Sequence, residues 1–129
     1  MKINMENKTI LIVDDNELNR KLARVTLQFS KYKTLEAEDA ESGIKLAQEN
    51  KPDLILMDIQ LPGIDGWSAT RIIKGDPDLK DIPVIALTGF ASYEDEEKAR
   101  EVGCVGYISK PFSPQALLKT IEQCLIDNL

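Results

Sequence analysis

Histidine is absent from all 129 residues of this chain. Its absence excludes a histidine general base, a histidine metal ligand and a Ser-His-Asp triad. Cysteine occurs only at Cys104 and Cys124, which have neither metal-ligand spacing nor a disulfide-rich pattern. We therefore expect two reduced, partly buried thiols. A reactive centre in this chain must be built from other side chains.

Long apolar runs and clusters of positive charge are also lacking. No apolar stretch approaches the roughly 20 residues that span a bilayer. Residues Met1 to Thr9 are polar, and the apolar run that follows them is too short for the core of a signal peptide. The formal net charge is −6 and the basic residues stand singly among acids, which argues against autonomous nucleic-acid binding. We expect a cytoplasmic protein without a membrane or nucleic-acid partner.

The remaining composition is that of an ordinary globular domain, with 43% hydrophobic and 29% charged residues. We expect one domain over residues 1–129, with residues 1–7 as a flexible tail and no output domain. Short apolar segments predict five strands, three of them continuous enough to be buried on both faces. These strands are Ile10 to Val13, Thr34 to Ala37, Leu54 to Met57, Val84 to Leu87 and Val105 to Ser109.

Apolar residues recur at helical spacing between the strands. The clearest sets are Leu18, Leu22, Val25 and Phe29 after the first strand, and Leu117, Leu118, Ile121 and Leu125 near the C-terminus. A third helix is expected from about Trp67 to Lys74. Asn16, Ser92 and Ser113 are suited to cap helices. The alternation predicts an α/β fold: a doubly wound, five-stranded parallel sheet of order 2-1-3-4-5 with helices on both faces.

Polar residues stand at the ends of four predicted strands. Asp14 and Asp15 end the first strand, Asp58 the third, Thr88 the fourth and Lys110 the fifth. The carboxyl ends of parallel strands share one edge, and ligands bind outside that edge where the strand order reverses. With the expected order the reversal falls between the first and third strands, so the three aspartates should converge.

Three adjacent carboxylates repel one another more than one lysine can offset, so a cation should complete the site. An all-oxygen set of ligands suits Mg²⁺ better than zinc. Together with Lys110 and the Thr88 hydroxyl, these groups form a coherent phosphoryl-transfer site. Asp58 would attack phosphorus, the metal and Lys110 would hold phosphoryl oxygens, and Thr88 would donate a hydrogen bond.

Five segments around these polar residues form a recognisable pattern. They are Ile10 to Asn16, Pro52 to Pro62, Gly63 to Gly66, Pro83 to Thr88 and Tyr107 to Pro111. Over essentially the whole chain, the sequence resembles the receiver domain of two-component response regulators. Among single-domain members it is similar to the CheY-like and DivK-like regulators, whose fold is flavodoxin-like.

The resemblance implies a partner and a metal site. Asp58 would accept a phosphoryl group from a histidine kinase or a histidine phosphotransfer protein, in a Mg²⁺-dependent step of a phosphorelay. By the same resemblance, Asp15, Asp58 and the main-chain carbonyl of Gln60 bind Mg²⁺ directly, and Asp14 acts through water. The chain would be a switch that turns over no external substrate as its main role.

The resemblance also implies how the signal leaves the site. Thr88 and Lys110 would contact the phosphoryl group, and Thr88 and Tyr107 would move together as the switch. A downstream target protein would dock on the face formed by the fourth helix, fifth strand and fifth helix. A monomer is the default, with a dimer through that face as the alternative. Gln60 and Phe90 would tune the lifetime of the phosphorylated form, and bulky Phe90 favours slow self-dephosphorylation.

Two backbone conformations complete the resemblance: a cis peptide bond before Pro111, and a positive φ at Gly66.

Three other interpretations remain to be weighed. An aspartate-nucleophile phosphatase of the haloacid dehalogenase type would carry its nucleophile after the first strand, in an Asp-x-Asp pattern that this chain lacks. A flavodoxin-type cofactor binder would need a Ser/Thr/Gly-rich phosphate loop there. A degenerate receiver that serves only for docking would not need the intact acid set. A P-loop nucleotidase is excluded because its motif is missing.

Overall fold

The computed structural model describes residues 6–89 and 92–128, in which five strands alternate with five helices. The strands are β1 (Thr9–Val13), β2 (Lys33–Ala37), β3 (Leu54–Asp58), β4 (Val84–Thr88) and β5 (Gly106–Ser109). The helices are α1 (Glu17–Phe29), α2 (Ala40–Asn50), α3 (Gly66–Gly75), α4 (Tyr93–Val102) and α5 (Pro114–Asp127). All five predicted strands are present, with ends that differ by one residue from those expected.

The strands form one parallel sheet of order β2-β1-β3-β4-β5, which confirms the predicted α/β topology. β3 and β4 are buried at every position, and β1 at all but its first, as expected for continuous apolar runs covered on both faces. Successive side chains alternate between two cores. Ile10 and Leu54 pack on the side of α1 and α5, whereas Leu11 and Ile55 pack on the side of α2, α3 and α4.

Helix α1 lies where its apolar spacing predicts, but the side chains that form the spacing face solvent. The helix packs on the sheet through Ala23, Thr26 and Leu27 instead. The small Ala23 side chain suits close approach of the helix to the sheet. The exposed fractions of the four predicted residues are 73% for Leu18, 41% for Leu22, 55% for Val25 and 90% for Phe29.

The expected caps are confirmed. The side chains of Asn16, Ser92 and Ser113 each accept a hydrogen bond from the backbone N–H three residues later. Gly103 ends α4 in a left-handed conformation, with φ of 99°. These local contacts fix where α1, α4 and α5 begin, and so where the loops after β1, β4 and β5 end.

The expected tail, residues 1–7, lies partly outside the described residues, which begin at Glu6. Glu6 and Asn7 form a turn, and the Asn7 N–H donates to the carbonyl of Lys31 at 2.9 Å. Among the helices of the described residues, none combines the length and apolarity that crossing a membrane requires.

Candidate functional site

The carboxyl ends of β1, β3 and β5 bring two buried carboxylates and a lysine together. Asp14 is fully buried and Asp58 is 3% exposed. Lys110 follows β5, and its Nζ lies 2.9 Å from Oδ2 of Asp58 and 2.9 Å from Oδ2 of Asp14. Asp15 lies beside them and is exposed to solvent. The three aspartates and the lysine therefore converge at one edge, as the strand order predicts.

The loops after β1 and β3 orient the two buried carboxylates. Oδ1 of Asp14 accepts the Asn16 N–H at 2.9 Å, and Oδ1 of Asp58 accepts the Gln60 N–H at 3.0 Å. The second oxygen of Asp58 accepts a hydrogen bond from Lys110. The second oxygen of Asp14 is close enough to Lys110 for an ion pair, but it has no hydrogen-bond donor among the described residues.

Burial and the contacts with neighbouring groups shift the pKa values of Asp58 and Lys110 in opposite directions. Burial raises the pKa of Asp58, and the hydrogen bonds from the Gln60 N–H and Lys110 offset only part of that rise. For Lys110, burial alone would lower the pKa, but the hydrogen bond to Asp58 and the ion pairs with Asp14 and Asp58 outweigh burial and the pKa is raised. Lys110 is thus held in its charged form, while the charged form of Asp58 is disfavoured.

The carboxylates fit a hard divalent cation. Asp14, Asp15 and Asp58 can each offer one oxygen, and these three oxygens lie within 4.8 Å of one another. The buried Asp14 oxygen without a hydrogen-bond donor is suited to a cation or to water held by one. Because the donors are all oxygen and Asp15 leaves one side open to solvent, the arrangement suits Mg²⁺, which retains part of its water shell.

Thr88 ends β4 beside the carboxylate cluster, since its neighbour Leu87 pairs with Asp58 in the sheet. The Thr88 side chain is 1% exposed, and its hydroxyl donates to Oδ2 of Asp95 in α4 at 3.0 Å. Tyr107, on β5, is half-buried and packs against the core on the side of α2, α3 and α4. Gln60 is exposed. Phe90, the other expected tuning residue, lies outside the described residues.

Two residues at the site were not found from the sequence. Asp95 is one of four consecutive acids at the start of α4, a pattern that is typical of a solvated helix start and so does not single out Asp95. Arg20, in α1, donates from Nη1 to the main-chain carbonyl of Asp14 at 2.7 Å, and its Nε lies 3.4 Å from Oε1 of Glu36. Its position in the second turn of the helix that follows Asp14 and Asp15 is a signal that could have identified Arg20.

The expected positive φ at Gly66 is wrong. Gly63 in the same loop has a φ of +76°, and Gly66 does not adopt a positive φ. Gly66 is needed for close approach instead: a Cβ there would lie 2.6 Å from Cα of Ile59 and would collide with the carbonyl of Asp58. The expected cis peptide bond between Lys110 and Pro111 is present.

Comparison with known proteins agrees with this geometry. Residues 10–122 match the family model described as the response regulator receiver domain. The chain is 48% identical over 120 residues to the polar-differentiation response regulator DivK of Brucella anthropi, covering 93% of this chain and 98% of that protein.

Two solved structures are also similar. The chemotaxis response regulator CheY4 of Vibrio cholerae is 30% identical with a TM-score of 0.87, over 91% of this chain and 98% of that one. The receiver domain of a sensor histidine kinase from Pseudomonas aeruginosa is 32% identical with a TM-score of 0.85, over 92% of this chain and 98% of that one. The latter was solved with a magnesium ion coordinated in its active site cleft.

Proposed function

Because this chain belongs to the receiver-domain family of the response regulators of two-component signalling, we propose that Asp58 is its phosphoacceptor. One observation carries the proposal. Lys110 approaches the buried Asp58 and Asp14 carboxylates at 2.9 Å each, at the sheet edge where the exposed Asp15 completes the cluster. A buried carboxylate beside a fixed cation and a metal-suited cluster is what transfer of a phosphoryl group to aspartate requires.

The proposed reaction needs little rearrangement of these side chains. A carboxylate oxygen of Asp58 forms a bond to phosphorus while the bond from phosphorus to the donor breaks, and the donor leaves with that electron pair. Lys110 stays beside Asp58 and would then contact a phosphoryl oxygen, and the Thr88 hydroxyl would donate to another. The Lys110 ammonium is in place beside Asp58 before the reaction, so its reorganisation costs little.

The proposed metal ligands are Asp15, Asp58 and the main-chain carbonyl of Gln60, with Asp14 acting through water. When bound, Mg²⁺ would offset the repulsion among the carboxylates and the charge on the transferred phosphoryl oxygens. The magnesium complex of the Pseudomonas aeruginosa receiver domain supports this assignment by similarity. The two buried, free thiols fit the reducing environment of the cytoplasm, which we propose as the site of action.

We propose that the exposed apolar stripe of α1 is where the phosphorylated histidine protein docks. The stripe consists of Leu18, Leu22, Val25 and Phe29, with exposed fractions between 41% and 90%. It begins three residues after Asp15, so a partner on the stripe would also reach Asp58. An unpartnered apolar surface of this kind is typical of protein interfaces.

The proposed output surface is the face formed by α4, β5 and α5. A groove of about 180 Å³ separates α4 from β5, and Arg100, Cys104 and Tyr107 are among its lining residues. Val105, which lines the groove, is 46% exposed, and Tyr93 in the first turn of α4 is 73% exposed. A downstream target protein that contacts this surface would sense a change at Thr88 through α4 and Tyr107.

The phosphoacceptor is tested by incubating the protein with Mg²⁺ and acetyl phosphate and measuring intact mass. We expect one added phosphoryl group that hydroxylamine removes, that requires Mg²⁺ and that is lost in Asp58→Asn. Asp78→Asn is the matched control, since Asp78 is an exposed aspartate in the loop that leads into β4, at the opposite end of the sheet. Continuous phosphate release from varied monoesters would favour a phosphatase instead, and absence of an adduct with metal bound would favour a docking module.

A further inference from the structure

The Thr88 hydroxyl is bonded to a carboxylate outside the metal-suited cluster. Oγ1 of Thr88 donates to Oδ2 of Asp95 at 3.0 Å. Thr88 is 1% exposed, and Asp95 is half-buried in the first turn of α4. The contact joins the end of β4 directly to the start of the helix on the proposed output surface.

The cap of α4 holds the Asp95 backbone in place. The Asp95 N–H donates to Oγ of Ser92, the residue that caps α4, at 3.1 Å. A carboxylate in the first turn of a helix is also favoured by the partial positive charge of the helix N-terminus. The acceptor that Thr88 uses is therefore fixed before any phosphoryl group arrives.

Asp95 and a phosphoryl group on Asp58 would compete for the one hydroxyl hydrogen of Thr88. A threonine hydroxyl donates one hydrogen bond. Donation to a carboxylate is charge-assisted and stronger than donation to a neutral acceptor, so the Thr88–Asp95 bond is not released without cost. Thr88 directly follows the residue that pairs with Asp58, so its hydroxyl has two anionic acceptors to choose between once Asp58 is phosphorylated.

We propose that Asp95 is a positioning residue that competes with the phosphoryl group for the hydrogen bond from the Thr88 hydroxyl. This inference rests on the proposed phosphoacceptor role of Asp58. In the unphosphorylated protein, Asp95 holds the hydroxyl of Thr88 and stabilises that arrangement. A phosphoryl group on Asp58 must displace Asp95 from the Thr88 hydroxyl. Because such coupling is reciprocal, the factor by which the phosphoryl group weakens the Thr88–Asp95 bond is also the factor by which Asp95 lowers the affinity of the site for the phosphoryl group. The released carboxylate lies on α4, so the start of this helix is the first part of the output surface to change.

The proposal is tested with beryllofluoride, a phosphoryl mimic, added with Mg²⁺ to the full chain and followed by ¹⁹F NMR. Asp95→Asn keeps the shape and the Ser92 cap but replaces a charged acceptor with a neutral one, so we expect beryllofluoride to bind about tenfold more tightly. Asp95→Ala, which removes the acceptor, should bind at least as tightly. Glu94→Gln is the matched control, because it removes the same charge from an exposed neighbour in the same helical turn and should match the wild type.

Measurements in a variant without the Thr88 hydroxyl separate the positioning role of Asp95 from a general effect of its charge. In Thr88→Val the hydroxyl is replaced by a methyl group, and adding Asp95→Asn should leave beryllofluoride affinity unchanged. An equal gain with and without the hydroxyl would overturn the proposal, as would unchanged or weaker binding by Asp95→Asn alone. Wild type that neither binds beryllofluoride nor forms the Asp58 adduct would defeat the proposed function and this inference together. Equal binding by all variants would defeat only the role of Asp95.

Discussion

At the scale of single residues, the site is electrostatically unbalanced. Asp14 and Asp58 are buried and share the Lys110 ammonium, and Asp15 adds a third carboxylate nearby. One cation cannot offset three anions. The remaining repulsion is strongest between the two carboxylates that water does not reach. Asp58, the proposed phosphoacceptor, is therefore a local source of instability until a bound cation offsets its charge or a modification changes it.

Asp58→Asn should stabilise the metal-free protein at pH 7. The folded-state pKa of Asp58 is raised, chiefly by burial, above its ordinary value of 3.8, so the charged form destabilises the fold at neutral pH. We expect a gain of about 1 kcal/mol in the free energy of unfolding and a melting temperature roughly 3–6 °C higher. The gain should shrink as pH falls toward 3.8, where the unfolded-state carboxyl is also protonated. Thermal melts of both proteins from pH 7 to pH 4 without metal check this, and an equal or lower melting temperature at pH 7 would contradict it.

Arg20→Ala should weaken Mg²⁺ binding by about five- to tenfold, because the hydrogen bond to the Asp14 carbonyl at 2.7 Å fixes the loop that carries Asp14 and Asp15. Arg24→Ala is a matched control. Arg24 also contacts Glu36, at 2.7 Å, but no contact joins it to Asp14 among those described. Isothermal titration with Mg²⁺ measures both variants, and equal affinities would show that the Asp14 contact has no part in metal binding.

At the scale of elements, helix α1 has one face buried on the sheet and one apolar face exposed to solvent. One strip, with Ala23 and Leu27, packs on the sheet, and the opposite stripe exposes Leu18 and Phe29. Large apolar side chains exposed along a whole helix are typical of a surface that binds a partner. The helix thus connects the proposed donor surface to the loop that holds Asp14 and Asp15.

Phe29→Glu should slow phosphoryl transfer from a phosphorylated histidine protein by about tenfold, since a charge within an apolar contact costs about 1.4 kcal/mol of affinity. Labelling by acetyl phosphate should be unaffected, because the small donor needs no protein contact. Ile72→Glu is the control, as Ile72 is 46% exposed on α3, away from the stripe. Equal slowing by both variants, or loss of acetyl phosphate labelling in Phe29→Glu, would remove the stripe from the proposal.

The same elements define what the sequence could and could not predict. Continuous apolar runs identify β1, β3 and β4, and with the strand order they place Asp14, Asp58 and Lys110 at one edge. Apolar periodicity identifies α1 but not which face packs inward, because a stripe marks burial against the core or against a partner equally well. The close approach at Gly66 and the Thr88–Asp95 bond arise from packing between separate segments, which neither spacing nor residue type reports.

At the scale of the whole molecule, the sheet separates two cores, and both cysteines are buried in them. Cys124 lies on the side of α1 and α5, and Cys104 on the side of α2, α3 and α4. Burial raises the pKa of the Cys104 thiol to about 11, and a hydrogen bond with Thr70 offsets part of the rise. The fold thus favours the neutral thiol and keeps it unreactive at physiological pH.

The protein should lose stability in alkali through Cys104. The thiol has a folded-state pKa of about 11 and an ordinary value of 9.0, so its contribution is complete below pH 9.0 and is lost as pH rises through about 11. We expect a loss of up to about 2–3 kcal/mol from this group. Urea unfolding from pH 8 to pH 11 measures it. The difference in stability between wild type and Cys104→Ala should narrow over that range, and a constant difference would contradict the assignment.

The contact between Lys110 and Asp58 spans 52 positions of the sequence and depends on β5, the strand at one edge of the sheet. A growing chain on the ribosome makes its three aspartates well before this lysine, and the lysine reaches them only when β5 has joined β4. Until then the carboxylates lack the cation that holds them. The proposed phosphoryl-accepting site is thus incomplete in a chain whose edge strand β5 has not yet paired with β4.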